Sequence, residues 1–194
     1  MKFFIATKNA HKIKEFSAIL SEFNIELISE ADLDNPLPDI EEDGLTFEEN
    51  SLIKARFAAK EIGFPTLADD SGLCVDALDG QPGIYSARFA GVHGDDKANN
   101  KKLLKELEGV EDRSAKFVCA VACVFPDGRE FTVLGECKGK IDTETRGNGG
   151  FGYDPLFISD EKGSFGLLSP EEKNSISHRA NALKNFRKEI IKYI

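Results

Sequence analysis

The chain opens with an unbroken apolar run, Phe3 to Ala6, that reads as a buried strand over residues 2–6. Ile13, Phe16, Leu20 and Phe23 then recur at i, i+3, i+7 and i+10. This is the spacing of one helix face, with Asn9 placed as its N-cap. Ile25 to Ile28 reads as the strand that returns from that helix, and so as a β-α-β opening. The turn-rich segment LDNPLPDIEEDG separates it from TFEENSLIKARFAAKEIG, read as a second helix with a Thr46-x-x-Glu49 capping box and Gly63 as its stop. PTLADDSGLCVDALDG reads as a strand that breaks at residues 69–72, QPGIYSARFAG as loop, and residues 95–108 as a third helix with Leu103, Leu104 and Leu107 on its apolar side.

From Lys116 to Lys138 two apolar stretches flank Pro-Asp-Gly, a hairpin signal; their weak alternation predicts burial on both faces. RGNGGFGYDPLF is glycine-rich and irregular. Ser169-Pro170-Glu171-Glu172 opens a short helical turn, and Ser177 caps a last helix carrying Leu183, Phe186 and Ile190. No repeat or long linker divides the chain.

With 194 residues, 41% of them hydrophobic, the chain is expected to form one domain over residues 1–194 that folds without staples. The net charge of -9 is concentrated: residues 30–49 hold nine acids and no Lys or Arg, while acids and bases balance elsewhere. An acidic chain without a basic stripe is a poor nucleic-acid binder. Cys74, Cys119, Cys123 and Cys137 form no Cys-x-x-Cys pair and read as reduced core residues. No stretch approaches a membrane span or a signal sequence, so a soluble cytoplasmic protein is expected.

Charge placement raises the first chemical question. Lys8, His11, Lys12 and Lys14 crowd the start of a helix, where the dipole disfavours cations by a few tenths of a kcal/mol each. A bound anion reverses that sign; a solvated lysine face is the alternative. His178 and Arg179 repeat the pattern after Ser177, with Lys173 a turn earlier. Arg179 offers a planar fork to a phosphate or to base carbonyls, or else these side chains contact surface carboxylates.

Asp69 and Asp70 are adjacent at the end of an apolar run. Strand neighbours point to opposite faces, so one of the two is expected to enter a site while the other braces a loop. An ordinary Asx turn is the alternative. Carboxylates with few histidines are the ligand set of Mg²⁺, and Glu41 or Glu42 is placed to supply a second ligand. Asn50 and Lys54 lie at i, i+4 on one side of the second helix. Phe151, between glycines, suits stacking on a purine or plugs a core beneath a turn.

Taken in order, Thr7-x-Asn9-x-x-Lys12, EEDGLTFEENSLIKAR, LADDSGLCVDAL, PGIYSARFAG, GGFGYDPLF and EEKNSISHRANAL resemble the non-canonical purine nucleoside triphosphate pyrophosphatases, the inosine triphosphatase family. The resemblance implies an α/β fold, an elongated mixed β-sheet flanked by helices, with two lobes and an active-site cleft between them. It implies Mg²⁺-dependent hydrolysis of ITP, dITP or XTP to monophosphate and pyrophosphate, by a homodimer. Carried across, Thr7, Lys8, Asn9, Ala10, His11 and Lys12 cradle the polyphosphate. Asp70 is proton acceptor and metal ligand, Glu41 or Glu42 assists with metal, Lys54 faces phosphate, and Ser71 touches substrate. Phe151, Gly152, Tyr153 and Asp154 surround base and sugar, and Lys173, His178 and Arg179 complete the nucleobase end. Lys8 stands where many relatives have glycine.

Overall fold

The structure is a computed structural model and describes residues 2–21 and 25–193. Phe23, the last member of the first helical stripe, lies outside the described residues. Among the described residues seven strands make one mixed sheet: β1 (Lys2–Ile5), β2 (Glu26–Ile28), β3 (Thr66–Val75), β4 (Ser114–Val124), β5 (Glu130–Ile141), β6 (Phe157–Ser159) and β7 (Gly163–Ser164), ordered β2-β1-β3-β4-β5-β6-β7. β1 is parallel to β2 and to β3, which makes the expected β-α-β opening, whereas β5, β6 and β7 pair antiparallel. The helices are α1 (Ala10–Ser21), α2 (Phe47–Ile62), α3 (Asp96–Glu106), α4 (Pro170–Ile176) and α5 (His178–Ile190).

Local chemistry explains the helix ends. Asn9 Oδ1 accepts from the N–H groups of His11 and Lys12, so it does cap α1. Thr46 accepts from Glu49 N–H, and Gly63 ends α2 in the left-handed region at φ 71°. The Glu49 carboxylate reaches back to Leu45 N–H at 2.6 Å, so the capping box read from the sequence is only half made. Ser169 and Glu172 do close a reciprocal box at α4. Gly128, at φ 89°, turns the hairpin, where Phe125 N–H donates to Arg129 O at 2.8 Å.

Two expectations for residues 66–91 fail. β3 does not break at residues 69–72 but runs through to Val75, and the stretch read as loop holds a 3₁₀ helix over Gly83–Arg88. In the second case Ser86 organises the turn: its hydroxyl donates to Gly83 O and accepts from Leu73 N–H.

The chain packs as two compact units. The first comprises Met1–Asp70, Cys119–Gly135 and Arg179–Ile194. Its main core gathers Phe3, Phe16, Leu67, Val121, Leu183 and Phe186, from strands and from α1 and α5. A second cluster, Ala55, Ala59, Ala68, Ala122 and Val124, is supplied by α2 and by the alternate residues of the same strands. The second unit comprises Ser71–Val118 and Glu136–His178, with a core of Leu73, Leu103, Phe117, Phe157, Phe165 and Ile176. β4 is buried on both faces, as expected of the hairpin, whereas β5 alternates buried and exposed residues and departs from that expectation. All four cysteines are free, three of them buried. Among the described residues no helix is long and apolar enough to cross a membrane.

Candidate active site

In the first unit the chemistry gathers where β3 reaches Asp69 and Asp70. Leu67 packs with α1 and α5 and Ala68 with α2. By the same alternation Asp69 turns to the first pair of helices and Asp70 to α2. Asp69 has no exposure, and its Oδ2 meets Lys12 Nζ at 3.0 Å and Arg179 at 3.2 Å. Glu15 grips the other side of the Arg179 guanidinium. Burial alone would push the Asp69 carboxyl up, but Lys12 and Arg179 outweigh it and hold it well below the usual carboxylate range. Asp69 Oδ1 is buried and has no hydrogen-bond partner among the described residues.

Asp70 is partly open. Lys54 Nζ lies 2.7 Å from Glu42 Oε2 and 3.9 Å from Asp70 Oδ1, so one ammonium serves two carboxylates. Asn50, one turn before Lys54, donates to Asp70 Oδ2 at 3.1 Å, and its own oxygen is fixed by Gly44 N–H at 2.9 Å. Burial raises the Asp70 carboxyl above its ordinary pKa despite Lys54 and Lys12. The Lys54 ammonium, which burial would depress, is raised instead by Asp70 and Glu42.

Glu42 is thus the member of the acidic pair that joins this cluster; Glu41 is exposed. Among the described residues no group of three His, Cys, Asp or Glu converges as a ready metal cage. The donor set nevertheless fits Mg²⁺, which is commonly held by one or two carboxylates plus substrate phosphate oxygens. Asp70 fits best, because its carboxylate is partly open whereas that of Asp69 is closed in by Lys12 and Arg179.

Around the first helix the placement is mixed. Thr7 Oγ1 accepts from Asn9 N–H, and Asn9 occupies two first-turn amides, so lysine charge rather than bare N–H groups carries the positive character. Lys12 turns inward, whereas Lys8 is half-exposed and pairs with Asp39 at 2.6 Å and Glu30 at 3.7 Å. Ala10 and His11 are exposed. Arg179, expected at the nucleobase end, has its guanidinium on Asp69 and Glu15.

The second unit builds a different environment around residues 150–154. Asp154, buried, accepts from Phe151 N–H at 2.8 Å and from Lys173 Nζ at 2.6 Å. Lys173 Nζ also lies 4.7 Å from the centre of the Phe151 ring, a cation–π contact. Tyr153 is a support: its ring belongs to the core and its hydroxyl donates to Ser86 O at 2.8 Å. His178, 5% exposed, stacks on Phe117 at 4.8 Å. Ser71 is partly buried on β3.

Several of these partners escaped the sequence reading. Glu15 meets Arg179 across nearly the whole chain length, and no local pattern marks such a pair. Asp96 and Asn100, which contact Gly152, lie four apart in DKANN, a spacing that does mark one face of a helix.

Residues 3–189 match the Ham1 family. The chain belongs to that family. This Ham1 protein is 52% identical over 182 residues to a dITP/XTP pyrophosphatase of Geobacter sulfurreducens, covering 92% of this chain and 91% of the relative. It is 50% identical to a dITP/XTP pyrophosphatase of Desulfotalea psychrophila, covering 98% and 86%. Its fold superposes on the Staphylococcus aureus Ham1 protein with a TM-score of 0.87 at 40% identity over the whole of both chains. A nucleoside-triphosphatase, dITP/XTP pyrophosphatase, from Mycobacterium abscessus gives 0.77 at 43% identity, covering 96% and 97%.

Proposed function

We propose that this Ham1 protein is an Mg²⁺-dependent dITP/XTP pyrophosphatase that also accepts ITP and so clears non-canonical purine nucleotides. The observation that carries the reading is the Lys54 ammonium shared by Glu42 and Asp70, beside Lys12 on Asp69. Cations held among carboxylates suit a polyanionic tail and its metal.

Asp70 and Glu42 would hold Mg²⁺, which when bound neutralises phosphate oxygens and polarises the anhydride. Asp70 accepts the proton of the attacking water, and a carboxyl raised by burial is a stronger base than a solvated one. The water oxygen bonds to the α phosphorus, the α–β anhydride bond breaks, and pyrophosphate leaves with the electron pair. Lys54 and Lys12 offset the charge that develops on the phosphates, and Asn50 keeps the Asp70 carboxylate from rotating. Thr7 and Asn9 shape the start of α1, the helix that presents Lys12, with Lys8 adding charge nearby.

For the base, Phe151 supplies a stacking face, with Gly152, Tyr153 and Asp154 holding its turn. Lys173 and His178 are the donors that suit a 6-oxo purine, and the 6-amino group of adenine would meet them as a second donor. A polar mismatch of this type rejects strongly. The working form is read as a homodimer, which sedimentation equilibrium tests.

The deciding assay offers dITP, XTP, ITP, dATP and dGTP with and without Mg²⁺ and measures pyrophosphate and orthophosphate separately. Pyrophosphate from the 6-oxo, non-canonical substrates only, and only with Mg²⁺, supports the reading; orthophosphate as the product, or equal use of dATP, overturns it.

A further inference from the structure

We propose that Asp96 and Asn100 are positioning residues that set the base site by gripping the backbone of Gly152, an inference that rests on the functional reading above. Asp96 Oδ2 accepts from Gly152 N–H at 2.7 Å, and Asn100 Nδ2 donates to Gly152 O at 2.8 Å. The two side chains stand one turn apart on the same face of α3. Together they offer an acceptor to the N–H and a donor to the carbonyl of a single residue, as a neighbouring strand would.

That residue has little freedom to move once gripped. Gly152 sits at φ 62° and Gly150 at φ 74°, and a Cβ on Gly150 would fall 2.0 Å from Asp154 Oδ2. Phe151 lies between them, its own N–H held by Asp154 and its ring beside Lys173. The attitude of the ring therefore follows the two peptide groups of Gly152.

Two neighbouring structural duties fall to other side chains. Asp95, not Asp96, caps α3, accepting from Ala98 N–H at 3.0 Å. Asn99 serves the 3₁₀ segment, accepting from Ala90 N–H at 2.7 Å and donating to Ala87 O at 3.3 Å. Asn100 is only 8% exposed, and its amide nitrogen is turned to Gly152. A buried amide is retained at that cost where its hydrogen bond matters. Both act through the turn and neither touches the reacting atoms.

The test compares wild type with Asp96→Ala, Asp96→Asn and Asn100→Asp. The alanine variant removes the acceptor, the asparagine variant keeps one, and Asn100→Asp sets a carboxylate against the Gly152 carbonyl. Hydrogen exchange at the Gly152 amide is expected to speed up about tenfold in Asp96→Ala, the size of one charge-assisted hydrogen bond, and to return towards wild type in Asp96→Asn. In Asp96→Ala and Asn100→Asp the KM for dITP is expected to rise about tenfold, with kcat and inhibition by pyrophosphate within about twofold. A merely structural role would move kcat and pyrophosphate inhibition together with KM, and that result, or an unchanged KM, overturns the proposal. Wild type that does not turn over dITP refutes the functional reading instead; the exchange measurement then still judges the grip, and unchanged protection at Gly152 rejects it.

Discussion

Lys12 Nζ lies 3.0 Å from Oδ2 of Asp69, a carboxylate fully withdrawn from solvent that also holds Arg179. Asp70, the next residue, turns instead to Lys54 and Asn50 on α2. The alternation of a strand thus separates a fully buried aspartate from a partly open one within one dipeptide. Removing one partner of a buried charge pair leaves the others uncompensated, so Asp69→Asn is expected to cost about 3–5 kcal/mol. Asp70→Asn removes a partly buried carboxylate whose ionised form burial disfavours, and is expected to leave the melting temperature equal or higher. Thermal unfolding of both variants checks this contrast.

The same pair predicts opposite pH dependences of stability. Asp69 titrates below its ordinary value of 3.8 in the folded protein, so its contribution is present above 3.8 and is lost as pH falls through the folded pKa. Asp70 titrates above 3.8, so its ionisation costs stability as pH rises from 3.8 through the folded value. The unfolding free energy of wild type minus that of Asp70→Asn should therefore grow more negative as pH rises through that window. Urea unfolding across it, with both proteins, reads the sign directly.

Glu42, and not Glu41, shares Lys54 with Asp70. Glu42→Gln is expected to raise the Mg²⁺ concentration for half-maximal activity at least about tenfold, and Glu41→Gln by less than about twofold. Metal titrations of pyrophosphate release from dITP measure both.

Phe151 is the aromatic face that the proposed function assigns to the base. Loss of a stacking ring costs about 1–3 kcal/mol per base, so Phe151→Ala should weaken dITP roughly 5- to 100-fold. Inhibition by pyrophosphate, which has no base, should stay within about twofold of wild type; competition assays with both ligands supply the comparison.

What the sequence made legible follows from the range of the forces involved. Helix faces, caps at Asn9, Thr46 and Ser169, and the hairpin at Gly128 are written in local spacing, and each appears in the fold. The alternation that parts Asp69 from Asp70 was legible too, although the strand carrying them was expected to end there. What local spacing could not carry was partner choice across long stretches of chain. Glu15 on Arg179 and Ser86 under Tyr153 depend on tertiary packing, and Lys8 on Asp39 depends on where an acidic loop comes to rest. The choice of Glu42 over Glu41 is of the same type, decided by which carboxylate reaches Lys54.

The role given to Asp70 is tested most directly by steady-state hydrolysis of dITP with Mg²⁺ by wild type and Asp70→Asn, alongside equilibrium binding of dITP. Loss of a general base predicts a fall in kcat of about 10²–10⁴-fold with the nucleotide still bound. Turnover by Asp70→Asn within about tenfold of wild type, with binding intact, would contradict it.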